Sequence, residues 1–241
     1  MFDPPIPHQT VALYSGGVDS FCMATLHDPD VLLHVSLGGR YGNEEAATLR
    51  TPPGMEDRLV RTSLDLGQWE LPENFIIPAR NAILALAAVN YGDTILLGSV
   101  AKSRGADKDE EFARRMNHLM EHLFSPQDIW IPEGRHVTVE LPVYHLTKTE
   151  LVAATLAAGV TANEIRDGTF SCYTPTPSGG ECGECKPCGR KWAALAANGI
   201  QPLVDAREAF RPYYDEVLAG DPNNRGPKYL EEVLRAWYSP F

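Results

Sequence analysis

The sequence predicts an α/β chain built on a mainly parallel, doubly wound sheet. Two observations carry this prediction. Short apolar, β-branched runs alternate with longer helical patterns, and the first apolar run ends in Ser15-Gly16-Gly17-Val18-Asp19-Ser20, which opens directly into a helical segment. Alternating elements need crossover connections, which make the strands parallel and put helices on both faces. A third observation is capacity. The chain has 241 residues, 44% of them hydrophobic, enough for one large α/β core.

The elements follow in order. Residues 11–14 and 31–36 read as short buried strands, and 75–77, 94–98 and 136–141 as further strands. Helical patterns cover residues 18–26, 43–49, 56–66, 79–90, 108–123 and 148–158. The texture changes beyond that point. Residues 174–180 (TPTPSGG) carry loop chemistry, with cysteines around them. From Trp192 two or three helices are expected, among them 206–218 and 229–238, with a Gly/Pro/Asn-rich connection at 220–227. The expected division is a ligand-binding unit over 1–165. A cysteine-bearing segment and C-terminal helices over 166–241 pack on the same core.

Charge and termini exclude several function classes. Twenty-one basic against 32 acidic residues give a formal charge of −11, unsuited to general nucleic-acid binding, which wants a basic face. The N-terminus has neither a basic start nor an apolar core segment, so no secretory signal is expected. The longest apolar run, residues 83–89, is too short to span a bilayer. The cytoplasm is the expected compartment. There, five cysteines point to metal or catalysis before disulfides.

Strand, Ser-Gly-Gly, helix is a mechanical unit for holding an anion. Glycines allow close backbone approach, and the helix start offers N–H groups and a positive dipole end. Ser15 and Ser20 add hydroxyls. The loop lacks the lysine and spacing of a Walker A motif. As a whole, SGGVDS resembles the pyrophosphate loop of the ATP-pyrophosphatase superfamily. The resemblance implies that Ser15, Gly16, Gly17, Asp19 and Ser20 hold ATP, whose β,γ-phosphates leave together while AMP is transferred to the substrate. Asp19 then either supports Mg²⁺ or stiffens the loop. Leu141-Pro142 followed by Leu146-Thr147-Lys148-Thr149-Glu150 is similar to the superfamily's later PL…K.E segment, which gives Lys148 a role in neutralising phosphate charge.

Cys172, Cys182, Cys185 and Cys188 form C-x9-C-x2-C-x2-C. Four thiolates so spaced close a tetrahedral zinc site; an iron–sulfur cluster is the rival ligand. Cys22, apart on the apolar side of the first helix, reads as a core thiol.

Four segments in one order resemble the 7-cyano-7-deazaguanine synthase family: SGGVDS; Arg40-Tyr41-Gly42-Asn43-Glu44; Ile77-Pro78-Ala79-Arg80-Asn81; and Ser171-Cys172-Tyr173…Cys182-Gly183-Glu184-Cys185-Lys186-Pro187-Cys188-Gly189-Arg190. The match runs from about residue 10 to about residue 198. It implies a Rossmann-like parallel sheet of the adenine nucleotide alpha hydrolase type with a zinc-bound C-terminal helical segment. It also implies ATP, Mg²⁺ and Zn²⁺ as cofactors, and a homodimer. The implied reaction is AMP-forming activation of 7-carboxy-7-deazaguanine, with ammonia giving the nitrile through the amide. A protein partner offering an amine is the alternative acceptor. Lys148, Arg80 and Asp19 become the catalytic set, and Arg40 and Asn81 substrate-binding residues.

The resemblance fails in places. Residues 99–112 replace the family's Asp-x-Ser-Gly-Tyr-Pro-Asp-Cys-Arg segment, leaving Asp107 or Asp109 as the carboxylate for a guanine-like edge, or as an ordinary acidic helix start. The family's glycine before Arg80 is Ala79. The tail beyond about residue 200 is longer than the family's and rich in Tyr, Trp and acidic residues. It reads as a packed helix pair, a lid or a docking surface.

Overall fold

The computed structural model describes residues 8–38, 49–73, 76–101, 105–127, 133–220 and 226–241. Among the described residues the sheet has five strands: β1 (Thr10–Leu13), β2 (Val31–Ser36), β3 (Leu59–Ser63), β4 (Thr94–Leu96) and β5 (Thr138–Glu140). Every pairing is parallel, and the order is β3-β2-β1-β4-β5. The expected doubly wound α/β architecture is therefore the observed one.

Among the described residues the helices are α1 (Val18–His27), α2 (Arg80–Ala88), α3 (Glu110–Leu123), α4 (Lys148–Ala157), α5 (Ala162–Gly168), α6 (Lys186–Ala197), α7 (Arg207–Leu218) and α8 (Pro227–Trp237). Their starts are written in the sequence. Thr147 and Thr161 each form a capping box with the glutamate three residues on, at α4 and α5. Asp109 caps α3 through Phe112 N–H at 2.8 Å, and Pro187 sits in the first turn of α6.

Alternation along the strands divides the core. Val11, Leu13, Leu33 and Ile95 face α2 and α3, where Ala85, Ala88, Met116 and Met120 cover them. Ala12 and Leu32 face the other way, onto Phe21, Cys22, Leu151 and Val152 of α1 and α4. Cys22 is fully buried, and burial pushes its thiol up to about 12, so it is a core thiol as expected. A third cluster joins Trp192, Phe210 and Val233 of α6, α7 and α8. Here α6 and α7 touch backbone to backbone, because a Cβ at Gly189 would lie 2.7 Å from the Ala209 carbonyl carbon.

Three expectations are corrected. Residues 56–66 are not helical: a short 3-10 turn, Glu56–Arg58, leads into β3. Leu59, Val60 and Thr62 suit an extended chain, and among the described residues β3 pairs with β2 on one side only, so its weak alternation hides its identity. Ile76 and Ile77 are not in a strand; they lead into the turn before α2. Helix α6 begins at Lys186, inside the cysteine segment and before Trp192. Residues 43–48 of the expected 43–49 helix, Arg40, and Phe75 of the expected 75–77 strand lie outside the described residues.

Strand β1 connects to β2 on one side, while β4 and β5 continue on the other. The C-terminal ends of β1 and β4 thus form the topological switch point, where such sheets bind ligands.

Candidate active site

The loop after β1 stands at that switch point. Gly16 has φ +75°, a conformation that favours glycine. Gly17 is the N-cap of α1, and no side chain caps this helix, which leaves its first turn facing the ligand side. Ser15 and Ser20 brace the loop from within. Their hydroxyls lie 3.2 Å apart, Ser20 Oγ accepts from Ser15 N–H, and it donates to the Gly17 carbonyl at 3.1 Å. Phe170 N–H donates to the Gly16 carbonyl at 2.9 Å and ties the loop to the segment before Cys172.

Lys148, first residue of α4, places its ammonium 2.5 Å from Asp19 Oδ1. Arg80, first residue of α2, and Asn81 line the same cavity as Ser15, Gly17, Asp19, Ser20 and Lys148. The cavity has a volume of about 690 Å³, within the range of roughly 300–1,000 Å³ typical of small-molecule sites. The structure thus brings together most residues that the sequence singled out. Asp107 and Asp109 are not in its lining. Asp109 caps α3, and the Asp107 carbonyl accepts from Asn81 Nδ2 at 3.1 Å.

Sequence reasoning missed Lys108. The Ser99 hydroxyl donates to its carbonyl at 2.6 Å. With the Asn81 and Asp109 bonds on either side, this fixes the backbone so that Lys108 lines the cavity. Burial, then the nearby Arg190 and Arg80 charges, hold its ammonium below the ordinary lysine range, with Asp107 and Asp19 acting against them. A cavity that concentrates cations in a partly dry setting is built for anions. The signal in the sequence was faint: one lysine between two aspartates reads as an exposed helix start.

The four cysteines converge. Their sulfurs all lie within 4.8 Å of one another, with Cys185–Cys188 at 3.4 Å, Cys182–Cys188 at 3.9 Å and Cys172–Cys185 at 4.0 Å. A tetrahedral ion with Zn–S bonds of about 2.3 Å sets its sulfurs about 3.8 Å apart, so the spacing fits one ion. The sulfurs also accept backbone N–H groups, Cys172 from Cys182 at 3.3 Å and Cys182 from Glu184 at 3.4 Å, as thiolates do. A buried ion pair supports the segment: Lys191 Nζ lies 3.1 Å from Glu181 Oε1, and that oxygen accepts from Ser171 N–H at 2.6 Å. Cys172, Tyr173, Lys186 and Arg190 extend this segment into the cavity wall.

The C-terminal helices also reach the site. Thr147, which caps α4, donates its hydroxyl to Glu232 Oε1 at 2.6 Å. Lys228 pairs with Glu150 at the same helix start. Among the described residues, no helix is long and apolar enough to cross a membrane.

Residues 54–199, more than half of the chain, match the family model described as queuosine biosynthesis protein QueC. The chain is also similar to proteins named 7-cyano-7-deazaguanine synthase. It is 28% identical to that of Citrifermentans bemidjiense over 226 residues, covering 81% of this chain and 96% of the relative. The Geobacter sp. (strain M21) protein is 28% identical with the same coverage. The Syntrophotalea carbinolica protein is 29% identical over 237 residues, covering 84% of this chain and 99% of the relative.

Proposed function

The chain belongs to the family of queuosine biosynthesis protein QueC, and on that premise we propose that it is an ATP-dependent, AMP-forming ligase that converts 7-carboxy-7-deazaguanine and ammonia to the nitrile. The observation that carries this reading is the Ser15–Ser20 loop facing Lys148, Arg80 and Lys108 across one cavity at the switch point. The similarity to proteins named for the same product supports the substrate.

A carboxylate has no useful leaving group, so the acid must first be activated. Its oxygen attacks the α-phosphate of ATP; the new O–P bond forms as the α,β-bridging bond breaks, and pyrophosphate leaves. The departing charge falls on the first-turn N–H groups of α1 and on Lys148, with Ser15 and Ser20 bracing the loop that presents them. Ammonia then attacks the acyl carbon, AMP leaves, and loss of a proton gives the amide. A second ATP activates the amide oxygen in the same way. Loss of AMP and the remaining N–H protons gives the nitrile. No side-chain nucleophile is needed; positioning and charge neutralisation do the work. Lys108, Arg80 and Arg190 take the negative charge of the acid and the adenylate.

Mg²⁺, when bound, would neutralise the triphosphate, and Asp19 would be the carboxylate that holds it. Zinc is the ion we assign to Cys172, Cys182, Cys185 and Cys188. A closed set of four thiolates leaves no open position, so its part is structural: it holds α6 and the Ser171–Tyr173 wall beside the loop.

Incubation with ATP, Mg²⁺ and 7-carboxy-7-deazaguanine, with and without ammonium, tests the reading by mass spectrometry. The nitrile is expected only with ammonium, alongside AMP. AMP with an acylated protein amine and no nitrile would move the acceptor to a protein; no AMP at all would overturn the reading.

A further inference from the structure

One wall of the cavity lies beyond the C-terminal end of the family match. The family match ends at residue 199, whereas Phe210 and Tyr213 of α7 and Tyr229, Glu232 and Val233 of α8 line the cavity. Four of these five side chains are apolar or aromatic, a wall that suits the face of a flat heterocycle. The fifth is a carboxylate. Glu232 is only 8% exposed, although glutamate is rarely buried without a partner.

Among the described residues the carboxylates lining the cavity are Asp19 and Glu232. Asp19 is engaged by Lys148. Glu232 accepts one hydrogen bond, from the Thr147 hydroxyl, and a carboxylate offers about four lone-pair positions. Asp107 and Asp109, the sequence candidates for reading the base, stand outside the lining. From this placement we infer that Glu232 is the specificity-determining carboxylate of the site, accepting the paired N–H donors of a guanine-type edge (the ring N–H and the 2-amino group). The inference rests on the substrate class proposed above and moves base recognition from the segment after β4 to the C-terminal helix pair.

The energetics agree. Burial holds the Glu232 carboxyl above the ordinary glutamate range, with the Thr147 hydroxyl acting against it. Two further N–H donors would favour the charged form, whereas an edge offering acceptors there would meet repulsion.

Calorimetric titration of the intact protein with 7-carboxy-7-deazaguanine, and with the analogue lacking the 2-amino group, tests this directly. The wild type is expected to prefer the amino-bearing acid by about 10- to 100-fold, the scale of a charge-assisted hydrogen bond. Glu232→Gln keeps an oxygen for Thr147 but turns a donor toward the edge, so it is expected to lose that preference with its melting temperature within about 3 °C of wild type. Preference retained in Glu232→Gln would overturn the inference while leaving the proposed substrate standing. So would a rise in the KM for ammonium alone, which would make Glu232 an amine site. A wild type that binds both acids equally overturns it without any variant. A wild type that binds neither removes the substrate class as well.

Discussion

The Lys148 ammonium lies 2.5 Å from Asp19 Oδ1, joining the first turn of α4 to the first turn of α1 across the ligand side of the sheet. The two residues are 129 positions apart, and the pair holds a cation beside the Ser15–Ser20 loop. Both side chains are partly exposed, 22% and 29%, so the pair itself contributes no more than about 1 kcal/mol to stability.

That imbalance makes a sharp prediction. Lys148→Met should lower kcat/KM for AMP formation by about 100-fold or more, because it removes a charge aimed at the leaving pyrophosphate. Its urea midpoint should barely move. A variant with near-normal kcat/KM would take Lys148 out of the reaction.

The cysteine cluster predicts one bound zinc per chain. Elemental analysis should find zinc without iron or sulfide, and Cys185→Ser should lose the metal and lower the melting temperature as α6 comes free of the Ser171–Tyr173 wall. Iron with sulfide, or no metal in the purified chain, would overturn the assignment.

Ala79 precedes α2 with φ +57° and ψ +17°, a left-handed conformation that costs a residue bearing Cβ roughly 1–2 kcal/mol. Glycine adopts it freely but loses more entropy on folding. The net expectation for Ala79→Gly is a gain of about 0.5–1 kcal/mol in unfolding free energy, read by urea titration. Destabilisation would show that the Ala79 methyl packs more than its backbone resists.

Lys108 predicts a pH dependence. Its folded pKa lies below the unfolded lysine value of 10.5, so the fold favours the neutral amine and carries the charge at a cost throughout the range below it. Affinity for the anionic acid should be full below the folded pKa and fall as pH rises through it, short of the ordinary lysine range. Lys108→Met should flatten that alkaline limb, weaken binding at neutral pH, and stabilise the fold there. Weaker binding with an unchanged alkaline limb would assign the limb to another group.

The sequence made the phosphate side legible because its signals are local. SGGVDS, the Thr147–Glu150 capping box and the cysteine spacing each state their geometry within a few residues, and the structure brings them to one cavity. The edge strand β3 was illegible for the opposite reason: Leu59, Val60, Leu64 and Leu66 fit a helical stripe as well as a strand, and only pairing with β2 decides. Lys108 and Glu232 depend on long-range packing. Glu232 did leave one trace, a glutamate on the apolar face of α8 between Tyr229 and Ala236, where solvent-facing charge does not belong.

The first step of the proposed reaction is attack of the substrate's own carboxylate oxygen on the α-phosphate of ATP. Its most direct test uses 7-carboxy-7-deazaguanine labelled with ¹⁸O in the carboxylate, with ATP, Mg²⁺ and ammonium, and reads the AMP by mass spectrometry. One ¹⁸O atom is expected in the phosphate of each AMP, from both the acid and the amide step. Unlabelled AMP, or ADP and inorganic phosphate in place of AMP and pyrophosphate, would contradict it.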